Sequence, residues 1–368
     1  MPRPSAASSR PLRRALAAAA GALLAGALFV ALPVLLHAAR VDAGDALTPA
    51  ERATILGFGP WPPQPMRDLA NPASGKPGGI ALGEALFYSA RLSPTGLRCA
   101  TCHEPWRHFS DGRPVAQGIA QGSRNTPTLL DAARHRRYGW DGAHDQLWQQ
   151  SLRPLQDARE MPATDAQVGA LVRRDGPLAV RFEAVFGAAP GDDDARITRS
   201  VGQALAAYVE TLASPRTPFD AWRDGLAASA GGEPAASDQF PAAARRGLRL
   251  FVGRAGCVAC HAGPMLGDDA FHASLVHSST ADGTPDPGRR GALPNTFRTP
   301  ALRAAATTGP WMHDGSAARL CDAVQPHAAD AGSVPPALGA ADRRDLVAFL
   351  RTLAIDAGTE DAAPDCAE

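Results

Sequence analysis

The sequence predicts a mostly α-helical chain folded as two tandem domains with long loops. Three observations carry this expectation. The pattern Cys-x-x-Cys-His occurs twice, at Cys99-Ala100-Thr101-Cys102-His103 and at Cys257-Val258-Ala259-Cys260-His261. A helical apolar pattern precedes each copy, and nowhere does strict apolar/polar alternation run for the length of a strand.

Composition agrees with a loop-rich helical protein. There are 36 glycines and 33 prolines against 12 Phe, 6 Trp and 3 Tyr. Such loop content is common where a large cofactor, rather than apolar side chains alone, fills the core. Basic and acidic side chains balance at 37 each, which removes any reason to expect nucleic acid as a partner.

Residues 1–45 read as an export segment. Arg3, Arg10, Arg13 and Arg14 precede an apolar run over residues 15–39, broken only by Pro33 and His37. The run is about long enough to span a bilayer, so a cleaved signal and a retained membrane anchor both fit. Either one places the rest of the chain outside the cytoplasm.

Further on, residues 57–79 are rich in proline and glycine and read as extended chain. A short helical pattern with Ile80, Leu82, Leu86 and Phe87 leads into the first motif. Over residues 196–212, Ile197, Val201, Leu205, Val209 and Leu212 mark one face of a helix. Asp192, Asp193 and Asp194 sit where they favour its N-terminus. Small residues with Gly231, Gly232 and Pro234 make 227–236 a linker, so the expected domains are 46–235 and 236–368. Helical stretches at 242–251 and 341–353 flank the second motif.

Two thiols separated by two residues can add across the vinyl groups of a heme, and a histidine directly after them falls under the iron. A four-cysteine zinc site is the competing reading, but zinc ribbons bring their pairs much closer in sequence and need no histidine after each. A redox-active Cys-x-x-Cys pair explains neither histidine. Two covalently bound hemes c therefore account best for Cys99, Cys102, His103, Cys257, Cys260 and His261. The remaining cysteines, Cys321 and Cys366, are expected to form a disulfide in an oxidising compartment. The second axial face of each iron decides between electron transfer and peroxide binding. Spacing does not choose among Met161, Met265, Met312, His108, His135, His144, His272, His277, His313 and His327.

Several further blocks carry a resemblance. They include Gly83-Glu84-Ala85-Leu86-Phe87, Phe109-Ser110-Asp111-Gly112-Arg113, Arg124-Asn125-Thr126-Pro127-Thr128 and Trp140-Asp141-Gly142. Others are Phe297-Arg298-Thr299-Pro300-Ala301-Leu302-Arg303 and Pro310-Trp311-Met312-His313-Asp314-Gly315. Together they make the chain, from about Leu47 to Leu353, resemble the bacterial diheme cytochrome c peroxidases, including the MauG enzymes that oxidise a partner protein.

The resemblance implies two cytochrome c-type heme domains with unequal roles. The heme on His103 would react with peroxide, and the heme on His261 would pass or share charge. Glu160 matches the acid of the peroxide pocket, with Gln150 and Pro154 lining the same cavity. A positioned carboxylate there can relay the proton that splitting the O–O bond requires, and burial would raise its pKa. Trp140 matches the tryptophan between the hemes. Asn125, Thr308 and Pro310 match the ligands of an inter-heme calcium ion, which takes neutral oxygens readily.

Two positions depart from the peroxidase pattern. Gln117 stands where typical peroxidases have a histidine that blocks the first iron, with His108 and His135 as substitutes. The distal ligand of the second heme, Met in the peroxidases and Tyr in MauG, falls on His327, with Met312 and Met265 as fallbacks. The segment 276–295 is also shorter than in many relatives.

The leading functional expectation is a periplasmic peroxidase that reduces hydrogen peroxide with electrons from a c-type cytochrome or cupredoxin. The alternative is a MauG-like enzyme that uses peroxide-derived ferryl heme to oxidise a partner protein. A plain electron-transfer cytochrome is the non-enzymatic alternative.

Overall fold

Two helix crossings, one in each half of the chain, organise the fold. In the computed structural model, residues 46–64, 67–280, 282–291, 294–325, 327, 337–357 and 366 are described. The export segment lies outside them, and no helix among the described residues is long and apolar enough to cross a membrane. The described residues from Pro49 onward form one unit by packing. In chain order its helices are α1 (Pro49–Leu56), α2 (Pro77–Phe87), α3 (Cys99–Cys102), α4 (Leu147–Gln156), α5 (Asp165–Arg174) and α6 (Gly176–Phe186). They continue with α7 (Asp194–Val209), α8 (Pro218–Ala228), α9 (Ala242–Val252), α10 (Leu320–Ala323) and α11 (Ala340–Arg351).

Helix ends follow local chemistry. Asp193 caps α7 through the N–H of Arg196 at 3.0 Å. Thr164 and Gln167 form a reciprocal capping box on α5. Asp175 caps α6, which stops at Gly187 with φ 74°. Helix α7 is the centre of the first half and packs against α2, α4 and α5. Its apolar face is the one the periodicity predicts. The other faces are buried too, because Gly202, Ala204, Ala206 and Ala207 are small enough to admit neighbouring helices.

Close approach sets both crossings. A Cβ at Gly83 of α2 would come within 1.9 Å of the Ala204 carbonyl oxygen on α7. A Cβ at Gly247 of α9 would come equally close, 1.9 Å, to the Asp345 carbonyl oxygen on α11. Each half thus has a helix leading toward its Cys-x-x-Cys-His motif, seated on a later helix through a glycine.

The core of the second half draws on residues from the first. Phe58, after α1, packs at 6.1 Å from both Phe219 of α8 and Phe251 of α9. Phe349 of α11 lies 5.5 Å from Phe219 and 5.2 Å from Phe251. Arg303 and Asp220 form a fully buried bidentate pair, both contacts 3.0 Å. The Arg303 guanidinium also stacks 3.5 Å from the Trp61 ring. These contacts cross the expected boundary at residue 235.

One small sheet is present among the described residues. Strands β1 (Phe271–Ala273) and β2 (Thr296–Arg298) pair antiparallel, with His272 opposite Phe297. Three residues are too few for an alternation to show in sequence. Cys321 and Cys366 are disulfide-bonded and buried, as their status as the two spare cysteines suggests.

Candidate functional site

Each Cys-x-x-Cys-His motif holds its histidine by the same backbone device. On the first, α3 carries Cys99 and Cys102, and His103 Nδ1 lies 2.9 Å from the carbonyl oxygen of Phe109. On the second, His261 Nδ1 lies 3.0 Å from the carbonyl oxygen of Leu266. Both accepting residues have left-handed backbones without being glycine: φ is 58° at Phe109 and 48° at Leu266. Such a conformation costs about 1–3 kcal/mol and persists only where surrounding packing enforces it. Here it turns a carbonyl onto the ring. Nδ1 then carries the proton, and Nε2 is left as the metal-binding nitrogen.

Burial keeps these groups neutral. It lowers the His103 pKa, with the carbonyls of Phe109 and Pro127 partly offsetting it. Burial, reinforced by His327, brings His261 down to about 4. The thiols of Cys99 and Cys102 are pushed up to about 12 and about 11, chiefly by burial. Neutral imidazoles and thiols outside any disulfide fit, in this arrangement, a thioether-linked heme at each motif.

His327 stands beside the second motif. Its ring centroid is 6.2 Å from that of His261, with the rings at 62°. Two imidazoles on opposite sides of one metal, each about 2 Å from it through nitrogen, place their centroids at about this separation. His327 Nδ1 lies 2.8 Å from the Gln325 carbonyl oxygen, the same Nδ1 commitment as in His103 and His261. Other candidate ligands are otherwise engaged. His272 Nε2 meets Asp268 at 2.9 Å, His313 Nε2 meets Ser278 Oγ at 2.8 Å, and His135 has Asp269 on Nδ1 at 2.9 Å with the Arg298 guanidinium 3.4 Å from Nε2. Met161 is packed in the core of the first half.

Glu160 lies on the side of the first motif that carries Gln117. The segment 117–121 folds back on itself through a Gln117–Gln121 bridge. Cys102 Sγ is 3.8 Å from the Gln117 carbonyl oxygen. On its other side, the N–H of Ile119 donates to the Glu160 carbonyl at 3.4 Å and that of Ala120 to Arg159 at 3.0 Å. The Glu160 carboxylate accepts from Arg153 Nη1 at 2.9 Å through Oε1. Burial raises its pKa, Arg153 opposes that, and Asp157 adds to it. Gln150, one turn before Arg153 on α4, has a buried Oε1 with no hydrogen-bond partner among the described residues. Such an orphan is costly unless a water or ligand group meets it.

Trp140 sits where the two halves meet. Its Nε1 donates to the Asn125 carbonyl at 2.9 Å, and its own carbonyl accepts from the N–H of Arg298 at 2.9 Å. The indole lies 6.4 Å from the His313 ring, which stacks on Phe297 at 3.8 Å. Asn125 Nδ2 reaches the carbonyls of Arg113 at 2.8 Å and Pro310 at 3.3 Å. Asn125 and Pro310 are therefore together. Thr308 lies two residues before Pro310, with its hydroxyl on Ala305.

Sequence reasoning missed three features. Arg153 is the partner of Glu160, with no local signal beyond its place on the helix of Gln150. Arg124 joins the halves, with two 2.8 Å contacts to Asp286 and one to Asp141, also 2.8 Å. The left-handed backbones of Phe109 and Leu266 follow no glycine and leave no trace in composition.

Comparison with known proteins adds to this geometry. Residues 77–228 match the family model for di-haem cytochrome c peroxidase. The chain is 36% identical over 298 residues to the methylamine utilization protein MauG of Methylorubrum extorquens, covering 77% of this chain and 80% of that protein. It is 32% identical to the cytochrome c551 peroxidase of Nitrosomonas europaea, covering 66% of this chain and 71% of the relative. Among solved structures, a MauG-like protein associated with microbial copper homeostasis matches with a TM-score of 0.67 and 28% identity, over 81% of this chain and 95% of that one.

Proposed function

The chain belongs to the diheme cytochrome c peroxidase and MauG family of oxidoreductases, and on that premise we propose that it reduces hydrogen peroxide at the His103 site with electrons entering through the His261 site. Cys99, Cys102 and His103 would hold one heme c, and Cys257, Cys260 and His261 the other. When bound, each heme supplies a redox-active iron. His103 and His261 would meet that iron through Nε2, because Nδ1 is committed to the carbonyls of Phe109 and Leu266.

The observation that carries this reading is the Glu160–Arg153 pair beside Cys102. Arg153 occupies Oε1, which leaves Oε2 to accept a proton from one peroxide oxygen and return it to the other. Burial raises the pKa of this carboxyl, so it holds a proton more readily than an exposed glutamate does. Gln150 Oε1, buried and without a partner among the described residues, would accept a hydrogen bond from peroxide or its product water. Trp140 bridges the halves and would carry electrons between the sites. Asn125, Thr308 and Pro310 would hold a calcium ion at the same junction.

A second reading is favoured by two specific observations. Gln117 stands in place of a blocking histidine, and the His327 ring lies 6.2 Å from that of His261, where the family's peroxidases use a methionine. Both pull toward oxidation of a partner protein, as in MauG, and away from turnover with a small donor such as a c-type cytochrome or cupredoxin. The test is to add peroxide to the fully oxidised holoprotein and follow its visible spectrum. An immediate, lasting change favours partner oxidation. A reaction that waits for reduction of one heme favours the peroxidase. Retention of the wild-type peroxide rate in Glu160→Gln would overturn the role of Glu160. Export to the periplasm, with domains of 46–235 and 236–368, completes the proposal.

A further inference from the structure

Two of the three tyrosines in the sequence meet on the far side of the His103 motif. The Tyr88 and Tyr208 hydroxyls are 3.3 Å apart. Both rings pack on Phe87, each at a centroid distance of 5.1 Å. Phe87 in turn meets the ring of Phe109 at 6.3 Å, and it is the Phe109 carbonyl that holds His103. A file of aromatic rings therefore runs from the surface at Tyr88 through Phe87 to Phe109, and the Phe109 backbone carbonyl makes the last link to His103. Tyr208 is buried, and burial raises its pKa. Tyr88 is 37% exposed.

Tyr88 opens on a surface groove of about 590 Å³ between α2 and α6. Ala81, Ala184 and Val185 give it apolar walls, while Glu84 and Arg181 supply one charge of each sign. The groove is open to solvent, so a small molecule can rest against Tyr88 without being enclosed. Small apolar walls accept a flat ring, and the two charges can hydrogen-bond one hydroxyl. A phenol is also the reductant whose electron and proton exchange with a tyrosine involve the least change in bonding.

We propose that Tyr88 is a second oxidation site, at which a small phenolic reductant in this groove delivers electrons to the His103 site. The inference rests on the reading of that site as the place where peroxide reacts. Tyr88 gives one electron inward along the file of rings and its phenolic proton to water. The resulting tyrosyl radical takes a hydrogen atom from the phenol, restoring Tyr88 and leaving a phenoxyl radical. Two such turns balance the chemistry: one hydrogen peroxide and two phenols give two waters and two phenoxyl radicals. The phenylalanines bridge without being oxidised. Tyr208 is the positioning residue: its buried hydroxyl lies 3.3 Å from that of Tyr88, and once Tyr88 has lost its proton only the Tyr208 O–H can donate, which steadies the radical.

The test treats fully oxidised holoprotein with hydrogen peroxide and labelled tyramine. It reads the visible spectrum, the paramagnetic resonance of rapidly frozen samples, and the position of any tyramine adduct by peptide mass mapping. The expected result is a tyrosyl signal and an adduct on Tyr88. Tyr88→Phe should lose the adduct and at least tenfold of the tyramine oxidation while its spectrum responds to peroxide at the wild-type rate. Tyr208→Phe should keep the adduct site but change the hyperfine pattern of the radical. A normal spectral response with no adduct on Tyr88, or wild-type tyramine oxidation by Tyr88→Phe, overturns this inference and leaves the peroxide reading standing. No response to peroxide at all removes both.

Discussion

The imidazole of His327 lies 6.2 Å, centroid to centroid, from that of His261, although 66 positions separate them in the chain. Its Nδ1 is bound to the Gln325 carbonyl, so Nε2 is the nitrogen available to a metal. With heme bound, His327→Ala is expected to open the second iron to added imidazole. His327→Met is expected to give a thioether-to-iron charge-transfer band at the red edge of the visible spectrum that the wild type lacks. If the Ala variant retains an unchanged six-coordinate spectrum, His327 is not a ligand.

Leu266 tests the backbone device. Its side chain is fully buried, so truncation to Ala should cost about 3 kcal/mol through the lost packing. Alanine at φ 48° keeps the left-handed strain, whereas glycine relieves about 1 kcal/mol of it. Leu266→Gly is therefore expected to be destabilised relative to wild type but to equal or exceed Leu266→Ala in stability, reversing the usual order. Denaturant melts of the two variants at one pH decide it.

Glu160 should give the peroxide reaction its acid limb. Its pKa is raised above the ordinary 4.5, first by burial, and the proton-accepting form is the carboxylate. The rate should therefore fall as pH drops through that raised value. Arg153 opposes the shift, so Arg153→Gln should move the limb to higher pH. Glu160→Gln should erase the limb and slow the reaction about a hundredfold. Stopped-flow mixing with peroxide across pH gives all three profiles.

Asp286 and Arg124 should tie the halves together. Burial alone would raise the Asp286 pKa, but its hydrogen bonds to Arg124 and to the N–H of Gly288 hold it below the ordinary carboxylate value. A carboxyl whose folded pKa is depressed contributes stability above its unfolded pKa and loses it as pH falls toward the folded one. The contribution should thus be complete at neutral pH and fade below about pH 4. Asp286→Ala is expected to cost about 3 kcal/mol at pH 7, since it leaves a partly buried guanidinium with Asp141 alone. A double-mutant cycle with Arg124→Ala should show coupling at pH 7 that shrinks at pH 3.

Replacing Cys321 by serine should cost about 3 kcal/mol, because the disulfide to Cys366 closes a long loop in the unfolded chain. Native protein should resist thiol labelling at both positions.

The sequence by itself determined what neighbours along the chain can encode. Cys99 to His103 and Cys257 to His261 carry their chemistry within five residues, and the helices at 194–209, 242–252 and 340–351 follow from apolar period and N-terminal acids or prolines. The family markers extended this to Glu160, Gln150, Trp140 and His327 as positions, without contacts. Only the tertiary structure decided what those positions touch. It set Arg153 on Glu160, His327 beside His261, and Phe58 and Phe219 in the core of the other half. It also turned Phe109 and Leu266 left-handed to hold the two histidines. None of these has a local signature. A through-space contact depends on how the chain returns to itself, and a strained φ survives because distant packing outweighs the local preference of the residue that bears it.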